Sequence, residues 1–233
     1  MESIYIYGHL GVGDHLLTNG LVNHYCETND RVYLFAKPHN SAFVKRLYNG
    51  NSKIRVISLD DIGVRQFMQF APDNNYLIVG HTTEYFKRVN NFEFTFDEGF
   101  YVMAGLPVHF KWGKFQHIVD KDQRNKVMMD LNYLSLEDYI FVHDDPARGR
   151  VFKEKYLPKG IRRFRPIEHP EVSILDMVGI IQCAKEVHVH NSSFSCFIDL
   201  IKMQHPALFY HKYARTDAGD FLFSNQVKWN FYE

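Results

Sequence analysis

The sequence predicts an α/β protein of two lobes, each a parallel β-sheet covered by helices. Short apolar runs that favour strands recur about every 25 residues, with helix-like segments between them. Residues 90–118 interrupt this rhythm because they are rich in aromatic side chains and lack a clear period. The alternation then resumes. We therefore predict two Rossmann-like lobes, residues 1–115 and 120–233, with a ligand cleft between them at the carboxyl ends of both sheets.

The first lobe is predicted to contain four strands and three helices. Its opening helix, over residues 14–26, has an apolar face formed by Leu16, Leu17, Leu21 and Val22. The other helices are expected over residues 41–48 and directly after the acidic cap Asp60-Asp61. The strands are predicted over residues 4–7, 31–36, 54–58 and 76–79.

The second lobe repeats the alternation without a Gly/Ser-rich linker before it. Such an order of strands and helices is typical of βαβ units and a parallel sheet. Its strands are predicted over residues 138–143, 162–165, 186–190 and 207–210, and its helices over residues 121–134, 173–184 and 193–203.

The composition excludes several classes of protein. A hydrophobic fraction of 45% is enough for a core, so the chain is not disordered. Lysine plus arginine and aspartate plus glutamate number 27 each, which gives no general positive field for nucleic acid. Three scattered cysteines favour a reducing compartment. No signal peptide and no apolar run of membrane-spanning length are found, so we expect a soluble, cytoplasmic protein.

The first candidate segment is the glycine-rich loop after the opening strand. Gly8, Gly11 and Gly13 permit positive φ and close backbone approach, and Asp14 follows them. The spacing G-x-x-G-x-G differs from the dinucleotide fingerprint, and the second strand is followed by Lys37 rather than by an acid. A nicotinamide site is therefore disfavoured. Asp14 is either a helix cap or a working group.

The second candidate segment is the stretch IFVHDDPARGR, residues 140–150. A buried strand delivers His143, Asp144, Asp145 and Arg148 into one loop at its carboxyl end. The planar guanidinium of Arg148 could bind a diphosphate. Alternatively, the loop is a turn closed by an ion pair between Arg148 and one of the two aspartates.

The third candidate segment is VHVHNSSFSCFIDL, residues 187–200. Asn191, Ser192 and Ser193 stand at the start of a helix, where free N–H groups favour an anion or the residues simply cap the helix. His188 and His190 share one face of the preceding strand. Two histidines without a third ligand do not define a metal site, so core or cleft-lining roles are favoured over metal binding.

Together these segments resemble glycosyltransferases of the two-lobed GT-B type. The stretch LGVGDHLLTNGL, Leu10 to Leu21, is similar to the amino-terminal segment of bacterial heptosyltransferases, with Gly20 where many of them carry proline. The stretch HNSSFS, His190 to Ser195, is similar to a motif in the carboxyl lobe of fucosyltransferases. The Arg148 loop occupies the place of a fucosyltransferase strand that is followed by a diphosphate-binding arginine.

The resemblance implies an inverting transfer of sugar from a nucleotide sugar, GDP- or UDP-linked, to a glycan or other hydroxyl acceptor, without metal or cofactor. It implies an acceptor lobe over residues 1–115, with Asp14 as the base, and a donor lobe over residues 120–233. The implied donor diphosphate ligands are Arg148, Asn191, Ser192, Ser193 and Phe194. The implied acceptor or cleft residues are Gly11, Gly13, His15, His143, Asp144 and Asp145.

Two other functions fit the same patterns. A short chain of this type could bind a nucleotide or sugar without catalysis. The loop GHLGVG could instead serve another Rossmann-type transferase, such as a methyltransferase. The aromatic side chains of residues 92–115 either stack on acceptor sugars or pack in the core.

Overall fold

The computed structural model describes residues 2–118, 138–215 and 226–233, together with residues 122, 127 and 129. These residues fall into two compact units, residues 2–118 and residues 138–215 with 226–233. Each unit contains a parallel sheet flanked by helices, which confirms the predicted α/β class with two Rossmann-like lobes. Apart from three residues, the predicted helix over residues 121–134 lies outside the described part of the chain.

The first unit is built on a four-stranded parallel sheet of order β3-β2-β1-β4. Alternate residues of the strands are buried, as expected for apolar runs covered by helices. The register places Ile4 opposite Val32 and Ile6 opposite both Leu34 and Leu77. The strands are β1 (Ser3–Tyr7), β2 (Arg31–Ala36), β3 (Ile54–Ser58) and β4 (Tyr76–Ile78).

Seven α-helices accompany this sheet among the described residues. They are α1 (Val12–Leu17), α2 (Asn19–Thr28), α3 (Ser41–Leu47), α4 (Asp61–Phe70), α5 (Thr83–Asn90), α6 (Phe96–Met103) and α7 (Phe110–Gly113). The predicted cap of α4 is confirmed, because the Asp60 carboxylate accepts a hydrogen bond from the Gly63 N–H at 2.8 Å. The single helix predicted over residues 14–26 is wrong in one respect. It is divided at Thr18, whose hydroxyl and N–H both donate to the Asp14 carbonyl at 2.9 Å.

The aromatic stretch forms short helices that belong largely to the core. Phe100 and Tyr101 of α6 are fully buried, and the Tyr101 hydroxyl donates to the Leu17 carbonyl at 2.9 Å. Phe92 is the exception, with 88% of its surface exposed. Of the two alternatives for these aromatic side chains, packing in the core is therefore the one that α6 follows. No helical period was visible in the sequence because α6 is only eight residues long and is buried on more than one side.

The helices α2 and α7 pack closely at Gly20. A Cβ added there would overlap the carbonyl oxygen of Phe110 and lie 3.1 Å from the Tyr101 hydroxyl. Beside this contact, α7 contributes Lys111 to a buried ion pair with Asp97 of α6. A glycine at position 20 thus lets the α7 backbone approach the start of α2, which a proline ring would prevent.

The second unit contains a five-stranded parallel sheet of order β6-β5-β7-β8-β9. Its strands are β5 (Tyr139–His143), β6 (Arg162–Phe164), β7 (Glu186–Val189), β8 (Leu208–His211) and β9 (Asn230–Tyr232). The sequence does not predict β9, because this edge strand is short and largely exposed. The helix predicted over residues 173–184 is a 3-10 turn, Ile174–Asp176, followed by α8 (Val178–Cys183). The helix α9 (Ser193–Leu200) follows β7, as predicted.

No helix in the described part of the chain is long and apolar enough to cross a membrane.

Candidate functional site

The glycine loop after β1 makes room for a carboxylate. Gly11 precedes α1 with an ordinary φ of −79°, and neither Gly8 nor Gly13 has positive φ, so the conformational reason expected from the sequence is wrong. A Cβ on Gly11 would instead lie 2.6 Å from the Asp14 Oδ2 atom. The Asp14 side chain thus folds back over Gly11, and a side chain at position 11 would require the carboxylate to move.

Asp14 lies in the first turn of α1 and is half-buried. Its charge acts on Tyr85, where burial first and then the charges of Asp14 and Asp97 raise the pKa of the hydroxyl. That hydroxyl donates to the Phe96 carbonyl at 2.7 Å. A carboxylate in the first helical turn is also favoured by the helix dipole. The cap residue of α1 is Gly11, and the role of Asp14 as a base stays a prediction.

His15 faces the interior of the first unit. It is 6% exposed, and burial lowers its pKa to about 4, so the ring is neutral near pH 7. Its Nε2 atom has no hydrogen-bond partner among the described residues. The side chain thus lies with the buried Leu16 and Leu17, whereas Asp14 is half-buried.

Two Gly-His pairs tie the ends of β1 and β4 together. His9 Nε2–H donates to the Gly80 carbonyl at 2.6 Å, and the His81 ring forms a hydrogen bond with the Gly8 backbone. The two imidazoles lie 4.6 Å apart. Gly80 has φ +79°, and a Cβ there would lie 2.7 Å from the His9 ring. We call Gly8, His9, Gly80 and His81 the Gly-His clasp. The repeated Gly-His that follows both strands is the sequence signal for it.

In the second unit, the two predicted segments after β5 and β7 come together. The strands are neighbours, with His143 opposite Val189. The His143 Nδ1 atom lies 3.1 Å from the Ser192 hydroxyl, and its ring is 4.4 Å from that of Phe194. Burial, reinforced by nearby His190, lowers the pKa of His143 to about 3. His143 is therefore a neutral hydrogen-bonding group at the start of α9.

The backbone at the start of α9 is arranged by side chains around it. The Ser192 N–H donates to the Ser195 hydroxyl at 3.1 Å. The Asn191 carbonyl accepts from Arg215 Nη1 and from His190 Nδ1, both at 2.9 Å. The first N–H groups of a helix have no partner within the helix, and α9 is long enough for its dipole to favour an anion there.

The loop after β5 is a tight turn closed by backbone and side chain. Asp145 and Arg150 exchange two backbone hydrogen bonds, at 2.8 and 2.9 Å, around Gly149 with φ +69°. Arg148 Nη1 lies 3.2 Å from the Asp145 carboxylate, and its side chain is 70% exposed. This is the ion pair that the turn alternative predicts. The role of Arg148 in binding a diphosphate stays a prediction.

Asp144 points into the second unit. It is 3% exposed, and Arg165 Nη1 lies 3.3 Å from its Oδ2 atom. Burial raises the pKa of Asp144, while the Arg165 charge opposes this shift.

Two arginines near His190 were not predicted as site residues from the sequence. Burial is the main reason that the pKa of His190 falls to about 4, and the charges of Arg150 and Arg215 lower it further. Both arginines are therefore close to the residues that begin α9. Arg150 ends the segment of residues 140–150, in which the sequence argument selected only Arg148. Arg215 belongs to no motif, so the sequence held no signal for it.

No protein-family model matches the sequence, and no curated protein matches it. A solved structure does. The crystal structure of the glycosyl transferase family 9 from Veillonella parvula DSM 2008 is similar over 90% of this chain and 80% of that chain. Its TM-score is 0.51 and its sequence identity is 7%. The likeness is one of fold. It assigns no role to any residue.

A pocket of about 630 Å³ opens in the first unit away from the candidate residues. It is bordered by the end of α2, by residues 47–53 and by residues 116–118, and none of the predicted site residues lines it. Within the described ranges, no three histidine, cysteine, aspartate or glutamate side chains are grouped to hold a metal ion.

Proposed function

We propose that the protein is a glycosyltransferase that uses a nucleotide sugar as donor. The observation that carries the proposal is the start of α9, where His143, Ser192 and Arg215 surround the amino end of a helix that follows a parallel strand. Such a position suits a diphosphate, because helix amides and guanidinium groups both favour phosphate oxygens. The similarity of fold to a glycosyltransferase supports the same function.

The donor is proposed to bind to the second unit through its diphosphate. The N–H groups of Ser193 and Phe194, the Ser192 hydroxyl and the side chain of Asn191 supply hydrogen bonds. Arg148, Arg150 and Arg215 supply positive charge. When the sugar leaves, negative charge grows on the diphosphate, and these preorganised groups stabilise it without moving.

The acceptor is proposed to bind to the first unit. Asp14 takes the proton from an acceptor hydroxyl, whose oxygen attacks the anomeric carbon as the bond to the diphosphate breaks. One displacement of this kind inverts the anomeric configuration. We propose a glycan or another polyhydroxylated acceptor, and a GDP- or UDP-linked sugar as donor.

Binding of nucleoside diphosphates tests the donor site. Calorimetry with UDP and GDP should show binding to the wild-type protein, and Arg215→Ala and Arg148→Ala should each weaken it about tenfold or more, since a charge-assisted contact is lost. Arg55→Ala serves as the control, because Arg55 is exposed on β3 of the other unit. If the wild-type protein binds no nucleoside diphosphate, the proposed function is wrong.

Substitution of Asp14 by asparagine tests the base. Asp14→Asn should reduce transfer about 10²- to 10⁴-fold, the usual contribution of a general base, while donor affinity stays unchanged. Asp73→Asn, at an exposed carboxylate of the same unit, should leave both measurements unaltered. Activity that survives in Asp14→Asn removes Asp14 as the base. Donor binding without transfer to any acceptor in a broad panel would favour the noncatalytic binding module.

A further inference from the structure

Four side chains of the second unit form a line of hydrogen bonds along one face of its sheet. Glu186 Oε2 lies 3.0 Å from His188 Nε2, and His188 Nδ1 lies 3.0 Å from His211 Nε2. His211 Nδ1 lies 2.9 Å from the Tyr213 hydroxyl. The register pairs His188 with Phe209, which places His211 on the same face, one step further along. Both histidines are fully buried. We call these four residues the histidine chain.

The two ends of the histidine chain fix where its protons lie. The Glu186 carboxylate only accepts, so His188 Nε2 carries a proton and its Nδ1 accepts from His211 Nε2–H. His211 Nδ1 then accepts from the Tyr213 O–H. At that end the Lys153 N–H donates to the same hydroxyl oxygen at 2.8 Å, which leaves its proton for His211. Every member is satisfied with both imidazoles neutral.

The neutral state agrees with the surroundings of both rings. Burial lowers the pKa of His188, and burial with the neighbouring His188 and His190 lowers that of His211 to about 3. Several groups act on the two imidazoles from the elements packed against them. They are Glu186 on β7, His190 directly after β7, Arg163 on β6, Tyr156, Tyr213 and Tyr232.

The histidine chain ends at the turn that carries Arg215. Tyr213 is the middle residue of the 3-10 turn Lys212–Ala214, and the Arg215 N–H donates to the Lys212 carbonyl at 3.3 Å. Arg215 in turn donates from Nη1 to the Asn191 carbonyl beside the start of α9. A continuous path of contacts therefore runs from Glu186 to the proposed diphosphate site.

We propose that the histidine chain positions Arg215, and thereby sets the affinity of the second unit for the diphosphate of its donor. The nature of the anion rests on the proposed function. The physical reason is that buried polar groups with one consistent proton arrangement tolerate no other placement of the turn. Its four members are positioning residues, since none of them is assigned a contact with the donor.

Tyr213→Phe tests the proposal directly. It leaves the Lys153 N–H and His211 Nδ1 without their partner, so we expect UDP and GDP to bind about tenfold more weakly at pH 7.5. Tyr156→Phe is the matched control, because Tyr156 stacks near the same residues but its hydroxyl is outside the histidine chain. Equal loss in both variants, or loss in neither, would overturn the proposal.

Two substitutions of Glu186 test whether its hydrogen bond to His188 or its charge is what matters for binding. Glu186→Gln keeps an oxygen that accepts from His188 Nε2–H, so it should bind UDP and GDP like the wild-type protein. Glu186→Ala should bind them about as weakly as Tyr213→Phe. If Glu186→Gln weakens binding as much as Glu186→Ala, charge rather than the chain is responsible and the proposal fails.

Nuclear magnetic resonance separates this inference from the proposed function. The ring nitrogen shifts should show Nε2–H tautomers for both His188 and His211. Tyr213→Phe should move the amide signals of Asn191 to Phe194 and the Arg215 Nε–H signal, whereas Tyr156→Phe should not. If these signals move but no nucleoside diphosphate binds, only the proposed function fails. If they do not move, or if the tautomers are different, the positioning role is wrong.

Discussion

Replacing Gly20 with alanine is expected to destabilise the first unit by about 3 kcal/mol or more, the upper range for overpacking. The added Cβ would overlap the carbonyl oxygen of Phe110, which belongs to the backbone of α7 and cannot rotate away. Helix α7 must move as a body, and with it the buried pair of Lys111 and Asp97. Urea denaturation followed by circular dichroism measures the loss.

Gly113 provides the control for this substitution. Gly113 lies at the end of α7, and a Cβ there meets nothing within 4 Å. Gly113→Ala should therefore be neutral, or stabilise by up to about 1 kcal/mol through helix propensity. A Gly20→Ala protein as stable as Gly113→Ala would show that α2 and α7 are not packed as described.

Acid is expected to unfold the second unit before the first. In the second unit, burial lowers the pKa of His143 and His211 to about 3 and that of His190 to about 4, whereas among the described residues of the first unit only His15, at about 4, falls so far. Burial also lowers the pKa of His81 and His117 in the first unit and of His188 in the second. Below pH 6.5 the unfolded chain takes up protons that these buried rings do not. Stability is thus fully present above pH 6.5 and is lost as the pH falls toward 4. Each histidine with a pKa of about 3 or 4 lowers the free energy of unfolding by about 2 kcal/mol at pH 5.

His143, His190 and His211 together lower the free energy of unfolding of the second unit by about 6 kcal/mol at pH 5. This is comparable to the whole stability of a small domain. Asp144, whose pKa is raised by burial, acts in the opposite direction but is a single group. Each unit contains one tryptophan, Trp112 in the first and Trp229 in the second. Urea titrations of Trp112→Phe and Trp229→Phe at pH 7.5 and 5.0 therefore follow the units separately. A midpoint for the second unit that is independent of pH would contradict the expectation.

The fold could be predicted from the sequence because its strands are buried runs at regular intervals. RVYLFA and DYIFVH have the apolar character of strands covered on both faces, and they form β2 and β5 in the structure. The edge strand β9 could not be predicted, because Asn230 and Phe231 are exposed and bear no alternation of buried and exposed positions. The division of α1 from α2 depends on a side-chain bond from Thr18, which periodicity does not reveal.

The candidate site was predictable only where the order of the strands brings its residues together. His143 and Ser192 follow strands that turn out to be neighbours, so their proximity follows from strand order. Arg215 reaches Asn191 from a segment 24 residues away, and its position depends on tertiary packing alone. The surroundings of Gly11 were also beyond the sequence, since its φ is ordinary and the Asp14 carboxylate folds over it.

The Gly-His clasp has a consequence for the entropy of binding. It fastens the first two residues of the loop that leads to Asp14 to the end of β4, through bonds that form when the chain folds. The conformational freedom of the loop is therefore given up during folding and not when an acceptor arrives. An acceptor that binds to a loop already in place loses less affinity to ordering than one that must organise the loop itself.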